Sequence, residues 1–343
     1  MSEAEARITA EIKEAPDIVR RQEKTLSEPL KELVSRLKRK PPLLVVTCAR
    51  GSSAHAAVFA KHSIERNLGL AVADAAPSIV TVYRRTLQLK DQLFLAISQS
   101  GRSDDLIEQT KSAKSAGALA VGLVNDAASP LAAACDIVLP IGAGAEISVA
   151  ATKTFVATLA AILRLTAAWS DNLPLARALD NLPERLERAS ALDWSASFGA
   201  VAAASSMMTI GRGPTLAIAG EAALKLKETC LLHAEAFSGS EFLHGPVALV
   251  AKNYPILMFM PADAAADALR ELEADLRRKG AAVFATAPGK AGAGHLPALA
   301  NDHPETDAIS LIQSFYGMAV RLAKLRGSDA AKPRHLQKVT RTR

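Results

Sequence analysis

At 343 residues the chain exceeds a single small domain and suits two domains, or two fused copies of one. Its residues are 49% hydrophobic but only 4% aromatic, so a core must come mainly from Ala, Leu, Val and Ile, as in helices packed closely over a sheet. The formal charge of +6 gathers after Ala323, at Lys324, Arg326, Lys332, Arg334, Lys338, Arg341 and Arg343; lacking stacking aromatics or a helix-turn-helix pattern, this argues against a nucleic-acid binder and leaves a solvated terminus or attraction of an anionic substrate.

In chain order, Glu3 to about Arg39 reads as two charged amphipathic helices broken at Pro16. LLVVTCA then forms a short apolar run with the look of a buried strand, ended by Gly51-Ser52-Ser53, after which AHAAVFAKHSIER has helical spacing. Further strands are expected at SIVTVY, QLFLAIS, GALAVGLVN and DIVLPI, with DDLIEQTKSAKSAG as an intervening helix. Strands alternating with helices imply an α/β fold, a doubly wound parallel sheet with helices on both faces.

The pattern then restarts. MMTIGRG echoes VVTCARG, PILMFMPA takes the place of QLFLAISQ, and AAVFATAP that of ALAVGLVN. This ordered internal duplication gives two doubly wound halves joined through the polar helical stretch from Ser170 to Arg188. SLIQSFYGMAVRLAKLRG is a closing helix, and SDAAKPRHLQKVTRTR has the composition of an irregular C-terminal arm.

Cys48, Cys135 and Cys230 are scattered and odd in number, which argues against a disulfide framework and favours a reducing, cytoplasmic setting. The charged N-terminus has no signal-peptide core, and no uncharged apolar run is long enough for a membrane span.

In open parallel sheets, ligands bind outside the carboxyl ends of strands. Two loops there suit a phosphate: Gly51-Ser52-Ser53 and Ser98-Gln99-Ser100-Gly101-Arg102-Ser103. Each follows an apolar strand and opens a helix, whose free N–H groups and dipole favour an anion. Helix capping is the commoner role of such serines; two such loops in one half tilt the reading toward a binding site. Neither GxxxxGK[ST] nor a GxGxxG after the first strand is present, so a small phosphorylated metabolite fits better than a nucleotide.

The second half carries Glu221, Lys225 and Glu228 on one helical face. Out of context this is an exposed ion-pair ladder. His233, Glu235, Glu241 and His244 follow closely, His244 inside the turn Leu243-His244-Gly245-Pro246. A carboxylate, a lysine and a histidine could move a proton between adjacent carbons and open a sugar ring. A His–Glu metal site competes, but no second histidine stands three or four residues away. No metal, nucleotide or organic cofactor is indicated.

Together these segments resemble the SIS (sugar isomerase) family. SQSGRSDD is similar to its SQSGET-type phosphate loop, and Glu146-Ile147-Ser148-Val149-Ala150-Ala151-Thr152-Lys153 to its EIGVASTK segment. EAALKLKET, HAEAF and the HGP turn resemble the isomerase portion of glucosamine-6-phosphate synthases, as do the EIKEAP opening and Lys332-Pro333-Arg334-His335-Leu336-Gln337-Lys338-Val339-Thr340. The match runs in order over almost the whole chain. It implies two flavodoxin-like SIS domains, over 40–170 and 171–326, with a helical segment over 1–39 and an active-site arm over 327–343.

The resemblance also implies roles. Ser98, Gln99, Ser100 and Ser103 would hold the phosphate; Ser53 and Ala151 would line the sugar, with Ser52 and Val149 beside them. Glu228 would carry the proton between C1 and C2, supported by Lys225. His244 would assist ring opening, reaching a neighbouring subunit's site in a homodimer with shared active sites, and Lys338 would approach the carbonyl. Arg102, Ser103 and Leu243 depart from the family pattern, which leaves sugar specificity open. Synthases begin with a glutamine-hydrolysing cysteine; here Ser2 follows Met1, so a chain without a glutaminase domain is expected.

The expected activity is an amino sugar phosphate isomerase/deaminase, taking glucosamine 6-phosphate to fructose 6-phosphate and ammonia. Alternatives on the same scaffold are cleavage of a phosphorylated fructosamine, isomerisation of another hexosamine phosphate, or synthase chemistry with external ammonia. A non-catalytic phosphosugar sensor is the alternative of another class, and it would need neither Glu228 nor Lys338.

Overall fold

The computed structural model describes residues 3–289, 292 and 294–338. It divides into two compact units. The first-half unit comprises Asp17–Glu146, Lys153–Leu179 and the chain from Gln337; the second-half unit comprises the chain to Pro16, Ile147–Thr152 and Asp180–Leu336.

The first-half unit holds β1 (Leu44–Ala49), β2 (Ala71–Asp74), β3 (Leu93–Ser98), β4 (Leu119–Val124) and β5 (Ile137–Pro140), in the spatial order β2-β1-β3-β4-β5. Every pairing is parallel. β3 is buried at each position, so it reads as an unbroken apolar run rather than an alternation. Its core joins Val46, Phe94, Ala96 and Val124 from the strands to Leu106 and Ala113 from the helix Asp104–Ser115.

The second-half unit holds β6 (Ser206–Gly211), β7 (His233–Ser238), β8 (Pro255–Met258), β9 (Ala282–Pro288) and β10 (His295–Ala298), ordered β7-β6-β8-β9-β10 and again all parallel. The two orders are the same, element for element, which realises the duplication. The repeat extends to backbone conformation. Gly51 and Gly213, which open the helices Ser52–Leu68 and Pro214–Cys230, have φ/ψ of 56/−134° and 60/−129°, a region that only glycine occupies readily. Each half is therefore a doubly wound α/β domain of the expected class.

Two sequence expectations fail. SIVTVY is not a strand: Pro77 leads into a short helix, Ser78–Thr81, and Val82 and Tyr83 stand 60% and 66% exposed. β-branched composition favours a strand only where the pleated face is buried. The second strand is instead Ala71–Asp74, paired with β1 from Leu44↔Ala71 to Thr47↔Asp74. Nor does Pro16 break the first helix, which runs Glu3–Thr25. A proline there leaves the carbonyl four residues earlier without its helical donor; that carbonyl, of Ile12, accepts from Gln313 Nε2 at 2.8 Å. The break falls at the buried Leu26, before the helix Ser27–Arg39.

The closing helix spans Pro304–Leu325, and the described part of the arm beyond it is irregular. Val339 and Thr340 of the arm motif, like Ser2, lie outside the described residues. Among the described residues no helix is long and apolar enough to cross a membrane.

Candidate functional site

In the first-half unit, the two serine loops leave the carboxyl ends of β1 and β3, which are adjacent strands. That is the point where the strand order reverses, and the crevice there is the common ligand position in such sheets. Ser98 is buried, and its Oγ accepts from Gly101 N at 3.1 Å; Ser100 Oγ accepts from Arg102 N at 3.3 Å. Gly101, at φ +63°, is pressed so closely against the neighbouring loop that a Cβ there would fall 2.1 Å from Ser129 Oγ.

The serines are not ordinary helix caps. Gly51, not Ser52 or Ser53, takes the cap position of its helix. Ser103 does sit at the cap of Asp104–Ser115, but its hydroxyl makes no capping bond. Ser52, Ser53, Gln99, Ser100 and Ser103 are all half-buried, so each keeps some access to solvent.

A further pair ties the loops together. Arg50, at the end of β1, donates from Nε and Nη2 to Oδ2 of the buried Asp105, two residues beyond Ser103. Arg102 instead turns outward to Asp126 at 3.0 Å. Burial, with Asp105 nearby, pushes the Cys48 thiol up to about 12, so it stays protonated. Burial likewise raises Cys135 to about 12 and Cys230 to about 11, which removes all three cysteines as nucleophiles.

The same unit places Lys338. Its Nζ donates to Glu146 Oε2 at 3.1 Å, and the other oxygen of this fully buried carboxylate accepts from Thr154 N at 3.2 Å. In the sequence Glu146 is only the first residue of the EISVAATK segment; its pairing with the arm is a tertiary fact.

In the second-half unit, Glu221, Lys225 and Glu228 do share a face of Pro214–Cys230, but not as an exposed ladder. Glu221 and Lys225 are buried, with side chains 0% and 2% accessible, whereas Glu228 is 20% accessible. Lys225 Nζ lies 3.5 Å from Glu221 Oε1 and is hydrogen-bonded to Glu228. Tyr316 OH donates to Glu221 Oε1 at 3.2 Å. A buried charge persists only when paired, and here the Lys225 ammonium is paired with one buried and one partly accessible carboxylate.

His233, Glu235, Glu241 and His244 are exposed, the first two on the edge strand β7, and the structure joins neither histidine ring to the Lys225–Glu228 pair by a hydrogen bond. Among the described residues, no cluster of three or more His, Cys, Asp or Glu is arranged to hold a metal. Val149 and Ala151 are half-buried; Val149 N donates to Ala331 O at 3.3 Å, and the preceding Ile147 and Ser148 amides donate to Glu11.

The counterpart of the phosphate loop in the second half has lost its serines. Pro261, Ala262 and Asp263 line a cavity of about 530 Å³ together with Arg185, Arg270 and His295, and Asp263 Oδ1 accepts from Ala265 N at 3.0 Å, just before the helix Ala266–Arg278. The paired serine loops are therefore found in one copy of the duplication.

Comparison with known proteins finds the same domain in both halves. The SIS domain matches residues 44–168 and 201–287. The chain is 32% identical over 311 residues to the isomerizing glutamine–fructose-6-phosphate aminotransferase of Pseudomonas syringae pv. tomato, covering 86% of this chain and 50% of that protein; the chain thus spans about half the length of the curated relatives it matches. Among solved structures, a candidate phosphosugar isomerase from Silicibacter pomeroyi superposes with a TM-score of 0.90 at 44% identity, over 94% of this chain and 99% of that one. The C-terminal domain of glucosamine-fructose-6-phosphate aminotransferase from Francisella tularensis gives 0.83 at 25% identity, over 95% and 98%. With two parallel five-stranded sheets in the same order and a matched domain in each half, the chain belongs to the SIS domain family and carries that domain twice.

Proposed function

We propose that this chain is a phosphosugar isomerase acting as a deaminase, converting glucosamine 6-phosphate to fructose 6-phosphate and ammonia. The observation that carries the reading is the buried Glu221–Lys225–Glu228 set, in which Glu228 alone reaches solvent to a useful extent. In this reading Ser98, Gln99, Ser100 and Ser103 hold the phosphate, and Ser52, Ser53, Val149 and Ala151 line the sugar. Glu228 removes the C2 proton of the open-chain aldose and returns it at C1, oriented by the Lys225 ammonium. C2 is oxidised as C1 is reduced, so no external oxidant is needed. The resulting C2 ketimine adds water, and its C–N bond breaks to release ammonia and leave the ketose.

Lys338, held on Glu146, is assigned to the substrate carbonyl, and His244 to ring opening. His244 is exposed in the single chain, and in this reading it serves the neighbouring subunit's site in a homodimer. Cytoplasmic residence belongs to the same reading. A second reading, favoured by the similarity to isomerizing aminotransferases, is the reverse reaction with ammonia supplied from outside the chain.

The test is ammonia release from glucosamine 6-phosphate by the purified protein and by Glu228→Gln. Release by the wild type, reduced at least about a hundredfold in the variant, is expected for loss of a general base. A wild type that releases no ammonia, but forms glucosamine 6-phosphate from fructose 6-phosphate when a glutamine-hydrolysing protein supplies the ammonia, selects the second reading. Equal rates in both proteins remove Glu228 from the mechanism.

A further inference from the structure

Arg50 ends β1 where the chain enters the first serine loop, and its guanidinium crosses to the segment after the second. Nε and Nη2 donate to Asp105 Oδ2 at 3.0 and 2.9 Å. Asp105 Oδ1 accepts from Leu106 N at 2.9 Å, and its side chain is 3% accessible, so this anchor is fixed. Arg50 is not buried with its partner: its side chain is 53% accessible. Among the described residues Nη1 has no partner, so one edge of the fork is committed and another is free.

The electrostatics of the loops give this arrangement a purpose. A phosphate dianion at the opening of Asp104–Ser115 would face two carboxylates in the first turn, Asp104 and Asp105. Helix-terminal N–H groups alone offer about half a positive charge. Arg50 neutralises the buried Asp105 and adds donors from a cation whose orientation is already fixed. Arg102, the loop's own cation, is held by a single donor to Asp126 at 3.0 Å, without the two-point anchor that fixes Arg50.

We propose that Arg50 is a substrate-binding residue that reads the phosphoryl group between the two serine loops, and that it sets the preference for phosphorylated over neutral sugars. The proposal rests on the phosphosugar reading of this site but does not require deamination. Asp105 is the positioning residue behind it.

The experiment measures inorganic phosphate binding by calorimetry, in low-chloride buffer, for the wild type, Arg50→Met, Arg50→Lys and Asp105→Asn, with thermal melts to confirm folding. Losing a charge-assisted bond predicts at least about tenfold weaker phosphate binding in Arg50→Met. Arg50→Lys recovers part of that, and Asp105→Asn loses less than Arg50→Met because the guanidinium remains. With glucosamine 6-phosphate as substrate, Arg50→Met raises KM more than it lowers kcat. A folded Arg50→Met that binds phosphate within twofold of the wild type overturns the proposal, as do equal losses in Arg50→Met and Asp105→Asn, which mark a purely structural tie. If phosphate binding falls as expected but no amino sugar phosphate yields ammonia, Arg50 keeps its role and the deaminase reading falls. A wild type that does not bind phosphate sinks both.

Discussion

At the scale of single residues, Lys225 shows how burial converts a surface motif into a site. Its spacing from Glu221 and Glu228 is that of a helical ion-pair ladder, worth a few tenths of a kcal/mol when exposed. Here Glu221 and Lys225 are removed from water, and Tyr316 completes the set. Taking away the ammonium leaves a buried carboxylate without its cation. Lys225→Met is therefore expected to cost about 3–5 kcal/mol of stability, measured by urea unfolding. A loss below about 1 kcal/mol would mean that water reaches Glu221. Glu146 poses the same question for Lys338. The carboxylate stood in view within a recognised motif, but nothing local announces that it receives a lysine so distant in sequence.

At the scale of elements, the first helix runs on through Pro16 for a physical reason. Proline in a helix interior costs about 3 kcal/mol chiefly through a lost hydrogen bond and a steric clash. The lost bond can be supplied from elsewhere, and Gln313 does so, donating also to Ser190 Oγ at 2.8 Å. Gln313→Ala should destabilise the wild type by about 1–3 kcal/mol, the cost of an unsatisfied buried carbonyl. In a Pro16→Ala background the restored N–H at position 16 serves the Ile12 carbonyl, so the same change should cost less. A double-mutant cycle by denaturant unfolding checks this, and additive losses would show that Gln313 acts elsewhere. SIVTVY is the opposite case: its strand propensity has no buried face on which to act. β7 is an edge strand carrying His233 and Glu235 on exposed positions, with no apolar run to mark it in the sequence.

At the scale of the whole molecule, the global stability of the fold carries a pH signature from Asp307. Burial raises its carboxyl from the usual 3.8 to about 6, against the lowering effects of Arg185, 2.6 Å away, and of the Asp302 backbone, while the Asp302 charge adds to the rise. A raised folded-state value means that the native protein binds this proton more tightly than the unfolded chain does. The contribution is complete below the unfolded value and is lost as pH rises through the folded one. Between about pH 4 and about pH 7, Asp307→Asn should thus lose less stability with rising pH than the wild type, read from urea midpoints at each pH. Parallel curves would show that Asp307 is ionised throughout.

Sequence by itself determined the class, the duplication, the central strands and the two serine loops. Buried strands must be apolar along their length, and a loop that approaches an anion needs glycine and hydroxyls in consecutive positions, so both leave a local record. Tertiary structure alone decided that β2 is Ala71–Asp74, that the Glu221–Lys225–Glu228 ladder is buried, that Arg50 reaches Asp105 and that Lys338 rests on Glu146. Each of these depends on which groups lose their water and which distant partner replaces it. Desolvation and long-range pairing are properties of the packed chain, and no window of neighbouring residues encodes them.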